Sequence, residues 1–186
     1  MKKSQLDHVL RAARRITGET EFIIIGSQSL HASCPDVPDT ILMSIAVDLI
    51  AKNERDRTEW LNAIGVDSPF HESFGYYADP VDETTAVVPR GWKDRLVRLG
   101  PGDTGGATGL CLDPHDLAIA KYAARREKDV VFNRELARLG IVRSDKLLDL
   151  LAGMPVTDER KTVIRGYIRA DFAIRPVPRR ARRKRR

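Results

Sequence analysis

The sequence predicts an α+β fold. Residues 1–112 alternate strand-like apolar runs with helical periodicity. Residues 113–170 read as helix after helix, and the boundary falls near Asp113. No internal repeat interrupts this order. The expected organisation is a strand-containing region at 1–112, a helical region at 113–170 that completes a cleft, and a basic, disordered tail at 171–186.

The elements follow in order. Leu6, Val9, Leu10, Ala13 and Ile16 recur at helical spacing over residues 4–17, and Gly18 ends that helix. Phe22 to Ile25 is continuous and largely β-branched, the pattern of a strand covered on both faces. Ser27 to Ser33 starts a helix directly after it, and CPDVPDT is a loop with two prolines. Met43 to Ile50 reads as a strand and Glu54 to Ile64 as a helix. Residues 74–88 suggest a hairpin turning at Pro80 to Glu83. Arg95 to Leu99 and Gly109 to Leu112 are short strands joined by a glycine-rich connection. Helices are then expected over 114–126, 129–139, 144–152 and 157–170.

Composition narrows the function classes. Apolar residues make up 42% of the chain, enough for a core, and no apolar run reaches the roughly 18 residues of a membrane span. MKKSQLDHVLRAARR lacks the apolar centre of a signal segment. Cys34 and Cys111 have no metal-ligand or redox spacing, so a reduced, cytoplasmic protein without a membrane partner is expected. Residues 175–186 carry eight Lys or Arg and no acid; the chain's +6 less those eight leaves −2 on residues 1–174. The basic character belongs to the tail RPVPRRARRKRR, either a solubilising segment or an arm that attracts phosphate backbones.

Three stretches could carry chemistry. In IIIGSQSL a glycine at a strand end permits a sharp turn and close ligand approach, and Ser27 opening a helix would aim its hydroxyl at a phosphate. In SIAVDL, alternation puts Ser44, Ala46 and Asp48 on one face and Ile45, Val47 and Leu49 on the core face. Carboxylates at i and i+2 there would both reach a Mg²⁺ ion, but the first is absent. A solvated half-exposed strand explains a lone Asp48 equally. In LDPHDLAIAKYAARREKD, Asp113 is an N-cap, Pro114 suits the first helical position, and Asp116 is either a helix-start acid or a catalytic one. Lys121 shares an apolar face with Leu117, Ala120 and Ala124, and Arg125 and Lys128 continue that side. That cluster is either built for phosphates or a solvated face.

The scattered His8, His31, His71 and His115 lack metal spacing. Tyr76, Tyr77 and Trp92 read as core or rim rather than as a base-stacking platform. Asp79, Asp82 and Asp94 are possible further acids that turns or surface roles explain equally.

Taken in order, IIIGSQSL, the proline loop, SIAVDLI, TTAVVPRGWKDRLV, GLCLDPHDLAIAKYAARREKD and VFNRELARLGIV resemble the minimal nucleotidyltransferases of the MNT and AbiE-toxin type. The resemblance covers roughly residues 20–142. It implies a polymerase-beta-like palm, that is, a nucleotidyltransferase-like mixed sheet with flanking helices plus the C-terminal helical region. It also implies Mg²⁺ and a nucleoside triphosphate. Gly26 and Ser27 would grip the triphosphate, and Asp48 would be the second acid of a metal-binding pair. Lys121, with Arg125, would meet phosphates, and Asp129 would be a later essential acid.

Ala46 departs from that pattern, since members of that family usually carry Asp or Glu there. Either the chain is naturally impaired or Ala46 was introduced to silence it. The resulting expectation is a toxin-like transferase that adds a nucleotide to RNA, at the 3′ end of transfer RNA. Tail residues Arg179, Arg180, Arg182, Arg183, Lys184, Arg185 and Arg186 would hold the RNA. The alternatives are AMP transfer to a protein partner, such as a cognate antitoxin, and a degenerate module that only binds RNA or a partner.

Overall fold

A computed structural model describes residues 1–173 of the protein. The expected RNA contacts of the tail, Arg179 through Arg186, lie outside the described residues. The α+β expectation holds. Strands β1 (Glu21–Ile24), β2 (Ala46–Ala51), β3 (Tyr77–Pro80), β4 (Val97–Arg98) and β5 (Thr108–Cys111) form a mixed sheet in the order β3-β2-β1-β5-β4. β1 runs antiparallel to β2 and parallel to β5, and β2 runs parallel to β3.

β1 is central, which explains its unbroken apolar run. Phe22 and Ile24 face one core, while Ile23 and Ile25 face the other. The first core is closed by α1 (Lys3–Thr17), through Leu6, Val9, Leu10 and Ala13, and by Leu61 and Ile64 of a 3₁₀ segment at Arg55–Ile64. Each of these leucine, valine and isoleucine side chains contributes about 1.5–3 kcal/mol on burial. Gly18, with φ +70, ends α1 as expected. On the opposite face lie α3 (Pro114–Ala124), α4 (Glu127–Arg138), α5 (Ser144–Ala152) and α6 (Asp158–Ala173). They bring Leu117, Ile119, Tyr122, Leu136, Leu147 and Ile168 against Ile23, Ile25 and Ile50.

Buried polar groups tie these layers together. Asp116, fully buried, accepts two hydrogen bonds from Arg95, each 2.8 Å. It is therefore half of a buried ion pair as well as a first-turn acid of α3. Glu19, also buried, accepts at Oε1 from the amides of Thr20 (2.7 Å) and Glu21 (3.1 Å) and from Asn53 Nδ2 (2.9 Å). Its Oε2 accepts from the amides of Asn53 (3.0 Å) and Glu54 (3.2 Å). That carboxylate joins the entry of β1 to the exit of β2.

Several local expectations change. Residues 74–88 are not a hairpin: α2 (Pro69–Phe74) ends at Gly75, and β3 then pairs parallel with β2. The long crossover over residues 55–74 makes the parallel pairing possible. The segments after β1 and β2 are 3₁₀ rather than α-helical, at Ser27–Ala32 and Arg55–Ile64. The expected strand at Arg95–Leu99 shrinks to β4, preceded by a 3₁₀ turn at Trp92–Arg95. α3 stops at Ala124, two residues early, because Arg125 turns left-handed with φ 55. α4 begins two residues early, at Glu127, and α6 continues past residue 170 to Ala173.

Candidate active site

β1 and β2 lie side by side, so the turn leaving β1 meets the middle of β2. The Ile25 amide donates to the Asp48 carbonyl at 3.3 Å. Gly26 is extended there, with φ −91 and ψ −166, so no unusual backbone angle requires glycine. Space does. A Cβ on Gly26 would stand 1.7 Å from Asp48 Oδ2 and 2.8 Å from its Cγ. The Asp48 carboxylate rests on the bare backbone of Gly26, and Ser27 follows at once.

Register sets the rest of the sheet's contribution. Asp48 lies opposite Asp79 of β3, and Ala46 lies opposite Tyr77. All four line a cleft of about 770 Å³ between the sheet and the helices, together with Gly26 and Ser27. Asp48 is half-buried and Asp79 exposed. Burial raises the Asp48 pKa above the ordinary carboxylate range, and the charge of Asp79 raises it further. Lys121, Lys128 and Arg126 oppose both effects without cancelling them.

Those three cations come from α3 and the start of α4, and all three line the cleft. Lys121 donates to Asp129 at 2.7 Å and stands 4.6 Å above the Phe132 ring. Asp129 is fully buried and also accepts from the amide (3.2 Å) and Nε (3.0 Å) of Arg126. Burial would raise its pKa, but Lys121 and Arg126 hold it below the ordinary value. Asp129 is thus a fixed anion behind Lys121 and not part of the cleft wall.

Arg125 points elsewhere. Its guanidinium carbon lies 3.7 Å over the Tyr167 ring of α6. The left-handed turn at Arg125 explains the exchange: it rotates Arg125 away and delivers Arg126 to the cleft. The cleft-lining arginine is therefore Arg126, one residue after the one expected.

The donor set can be weighed against a metal ion. Among the described residues no group of three or more His, Cys, Asp or Glu could hold one. Asp48 and Asp79 nonetheless put two carboxylates on paired positions of adjacent strands. Mg²⁺ is commonly bound by one or two carboxylates, with substrate phosphates and water supplying the remaining oxygens. The pair fits an ion carried in with a triphosphate. A methyl group stands at Ala46, where i, i+2 spacing would set a further acid beside Asp48.

Gly26, Ser27, Ala46, Asp48 and Lys121 thus line one cleft, where the family resemblance would set them; Asp129 stands behind it and Arg125 outside it. Asp79, Arg126 and Lys128 complete the charged lining. Asp79 was one of three unassigned acids, and only strand pairing separates it from Asp82 and Asp94. The hairpin reading hid that pairing. Among the described residues no helix is long and apolar enough to cross a membrane.

A family model described as "Nucleotidyltransferase of unknown function (DUF6036)" matches residues 4–159, a span that contains every cleft residue named above. Comparisons with curated proteins and with solved structures give no match.

Proposed function

The chain belongs to the DUF6036 family of nucleotidyltransferases, and from that premise we propose Mg²⁺-dependent transfer of a nucleotide from a nucleoside triphosphate to an RNA hydroxyl. The observation that carries this reading is the opposition of charge across one cleft. Asp48 and Asp79 stand on the sheet side, and Lys121, Arg126 and Lys128 on the helical side. A triphosphate and its ion need both signs within a few ångströms of each other.

In this mechanism Lys121, held by Asp129, orients the triphosphate. Arg126 and Lys128 add charge at the same wall. Ser27 contacts a terminal phosphate beside Gly26. The acceptor hydroxyl attacks the α-phosphorus, the new O–P bond forms, and the bond to pyrophosphate breaks. The hydroxyl proton passes to the paired carboxylates of Asp48 and Asp79. Mg²⁺, held by Asp48 and Asp79 with the phosphates, would neutralise charge on the triphosphate. Most of the acceleration comes from position and electrostatics.

The resemblance to MNT and AbiE-type toxins supports the finer reading: a toxin-like enzyme whose acceptor is the 3′ end of transfer RNA. The cationic tail at 175–186 supports a polyanionic acceptor. Ala46 favours a second reading, a module that binds RNA or a partner but transfers slowly or not at all.

One experiment separates these readings. Transfer of α-labelled nucleotide into RNA and into protein is measured with Mg²⁺ for the wild type and for Ala46→Glu. Restoring the acid should raise transfer into RNA on the order of 10²-fold, since metal neutralisation contributes several kcal/mol. Label in protein instead would move the acceptor to a partner such as an antitoxin. A folded Ala46→Glu protein that labels neither acceptor overturns the enzymatic reading.

A further inference from the structure

We propose that Tyr77, backed by His71, is a stacking platform for the unpaired terminal base of the acceptor RNA. The proposal rests on the transferase reading above and assigns the acceptor's side of the same cleft.

Strand register places the ring. Tyr77 lies opposite Ala46 and two residues before Asp79, so its ring shares the face of the sheet that carries both acids. It lines the cleft and is half-buried, with part of its surface left accessible. The Tyr77 amide donates to the Ile45 carbonyl at 3.1 Å, which holds the strand in place. Among the described residues no hydrogen bond engages its hydroxyl. A tyrosine placed only to fill a core would bury its ring and give the hydroxyl a partner. Tyr122 does both in this molecule: it is fully buried and donates to Asp171 at 3.1 Å.

The ring is also held from behind. His71 packs on it with centroids 4.6 Å apart, tilted by 60°. His71 is fixed in turn: its Nδ1 accepts from the Asp67 amide at 3.1 Å, and its own amide donates to the N-cap Ser68 hydroxyl at 3.2 Å. An aromatic ring held in advance loses little freedom when a base stacks on it. Met43, 77% exposed, adds apolar surface to the same cleft.

Charge decides which ligand meets the ring. Lys121, Arg126 and Lys128 stand on the helical wall and claim the triphosphate. Tyr77 and the exposed Asp79 share the edge strand on the other side. The acceptor hydroxyl must approach the α-phosphorus from the side away from the leaving pyrophosphate. A base attached to that hydroxyl therefore arrives over β3. Stacking tolerates any base, because every base offers a π-face. The platform predicts a preference for unpaired ends over paired ones, with little selection of base identity.

The test uses the full chain and two separate titrations. Fluorescence anisotropy follows an RNA hairpin with an unpaired 3′ overhang and the same hairpin with a blunt end. Calorimetry follows Mg²⁺ with a nucleoside triphosphate. The wild type should favour the overhang. Tyr77→Leu should weaken overhang binding by about tenfold or more, and Tyr77→Phe should restore it. Triphosphate affinity should move far less than overhang affinity in Tyr77→Leu. His71→Ala, which removes only the backing ring, should give an intermediate loss. Equal binding of overhang and blunt hairpins overturns the platform, as does a Tyr77→Leu protein that binds both like the wild type. So does a loss confined to triphosphate affinity, which would put the ring on the nucleotide's side, or labelling of protein alone, which would mean a protein acceptor. Absent triphosphate binding in the wild type would instead undo the transferase reading itself, a result that is separate from the others.

Discussion

At the scale of single residues, the site is organised around an acid held against its own interest. Asp48 loses solvation beside Asp79, and both effects raise its pKa. The sign follows. A carboxyl whose folded pKa exceeds its unfolded value is destabilising when ionised; the penalty is full above the folded pKa and vanishes below the unfolded one. Asp48→Asn should therefore raise the thermal midpoint of the ligand-free protein at pH 7 while abolishing transfer. The gap from wild type should close as pH falls below the ordinary carboxylate range. Melting curves from pH 3 to 8 check this, and an Asp48→Asn protein less stable than wild type at pH 7 would contradict it. Gly26 belongs to the same constraint, because any side chain there would collide with the carboxylate. Spacing put Ala46 and Asp48 on one strand face; the family resemblance, not spacing, implied that Gly26, Ser27, Asp48 and Lys121 would share a site, and all four line the cleft. Helical spacing pointed to Arg125, but one left-handed residue after α3 turns it away and puts Arg126 at the cleft. Asp129 is closer to a positioning residue than to a reacting one, because its oxygens are taken by Lys121 and Arg126.

At the scale of elements, the relative placement of β1 and β2 decides whether Gly26 meets Asp48, and Glu19 secures that placement. Burial alone would raise its pKa. The amides of Glu21, Thr20 and Asn53 and the Asn53 side chain outweigh burial and bring it down to about 2, from 4.5. A depressed carboxyl stabilises the fold above its unfolded pKa, and that contribution is lost as pH falls from about 4.5 toward 2. Glu19→Gln sets an N–H against amide donors. It should cost about 3 kcal/mol at neutral pH and flatten the acid limb of the stability curve. Denaturant titrations at pH 7 and pH 3 measure both effects, and equal losses at the two pH values would exclude this role. Glu19 carries no sequence signal, since the three bonds that tie it to β2 come from Asn53 and Glu54, more than thirty positions away. β3 was hidden for a related reason. Alternation indicates a strand, but only the crossover through residues 55–74 and the free edge of β2 make it parallel.

At the scale of the whole molecule, charge is divided between a chain of residues 1–174 that is slightly acidic and a tail of eight cations. If the tail holds RNA, removing residues 175–186 should weaken RNA binding and reduce the slope of log affinity against log salt by up to roughly 5. Binding titrations at several salt concentrations test it, and an unchanged slope would exclude the tail from the complex. The sequence by itself determined the α+β class, the order of most elements, the core faces of α1 and β1, and the shared strand face of Ala46 and Asp48. These depend on local periodicity and on spacing along one strand or helix, which the chain carries in one dimension. Only the tertiary structure decided that Asp79 stands beside Asp48, that Tyr77 lies across from Ala46, that Asp129 sits behind Lys121, and that Arg126 replaces Arg125 at the cleft. Each depends on strand pairing, or on one backbone angle between two helices, where a small change in direction moves a charge from one surface to another.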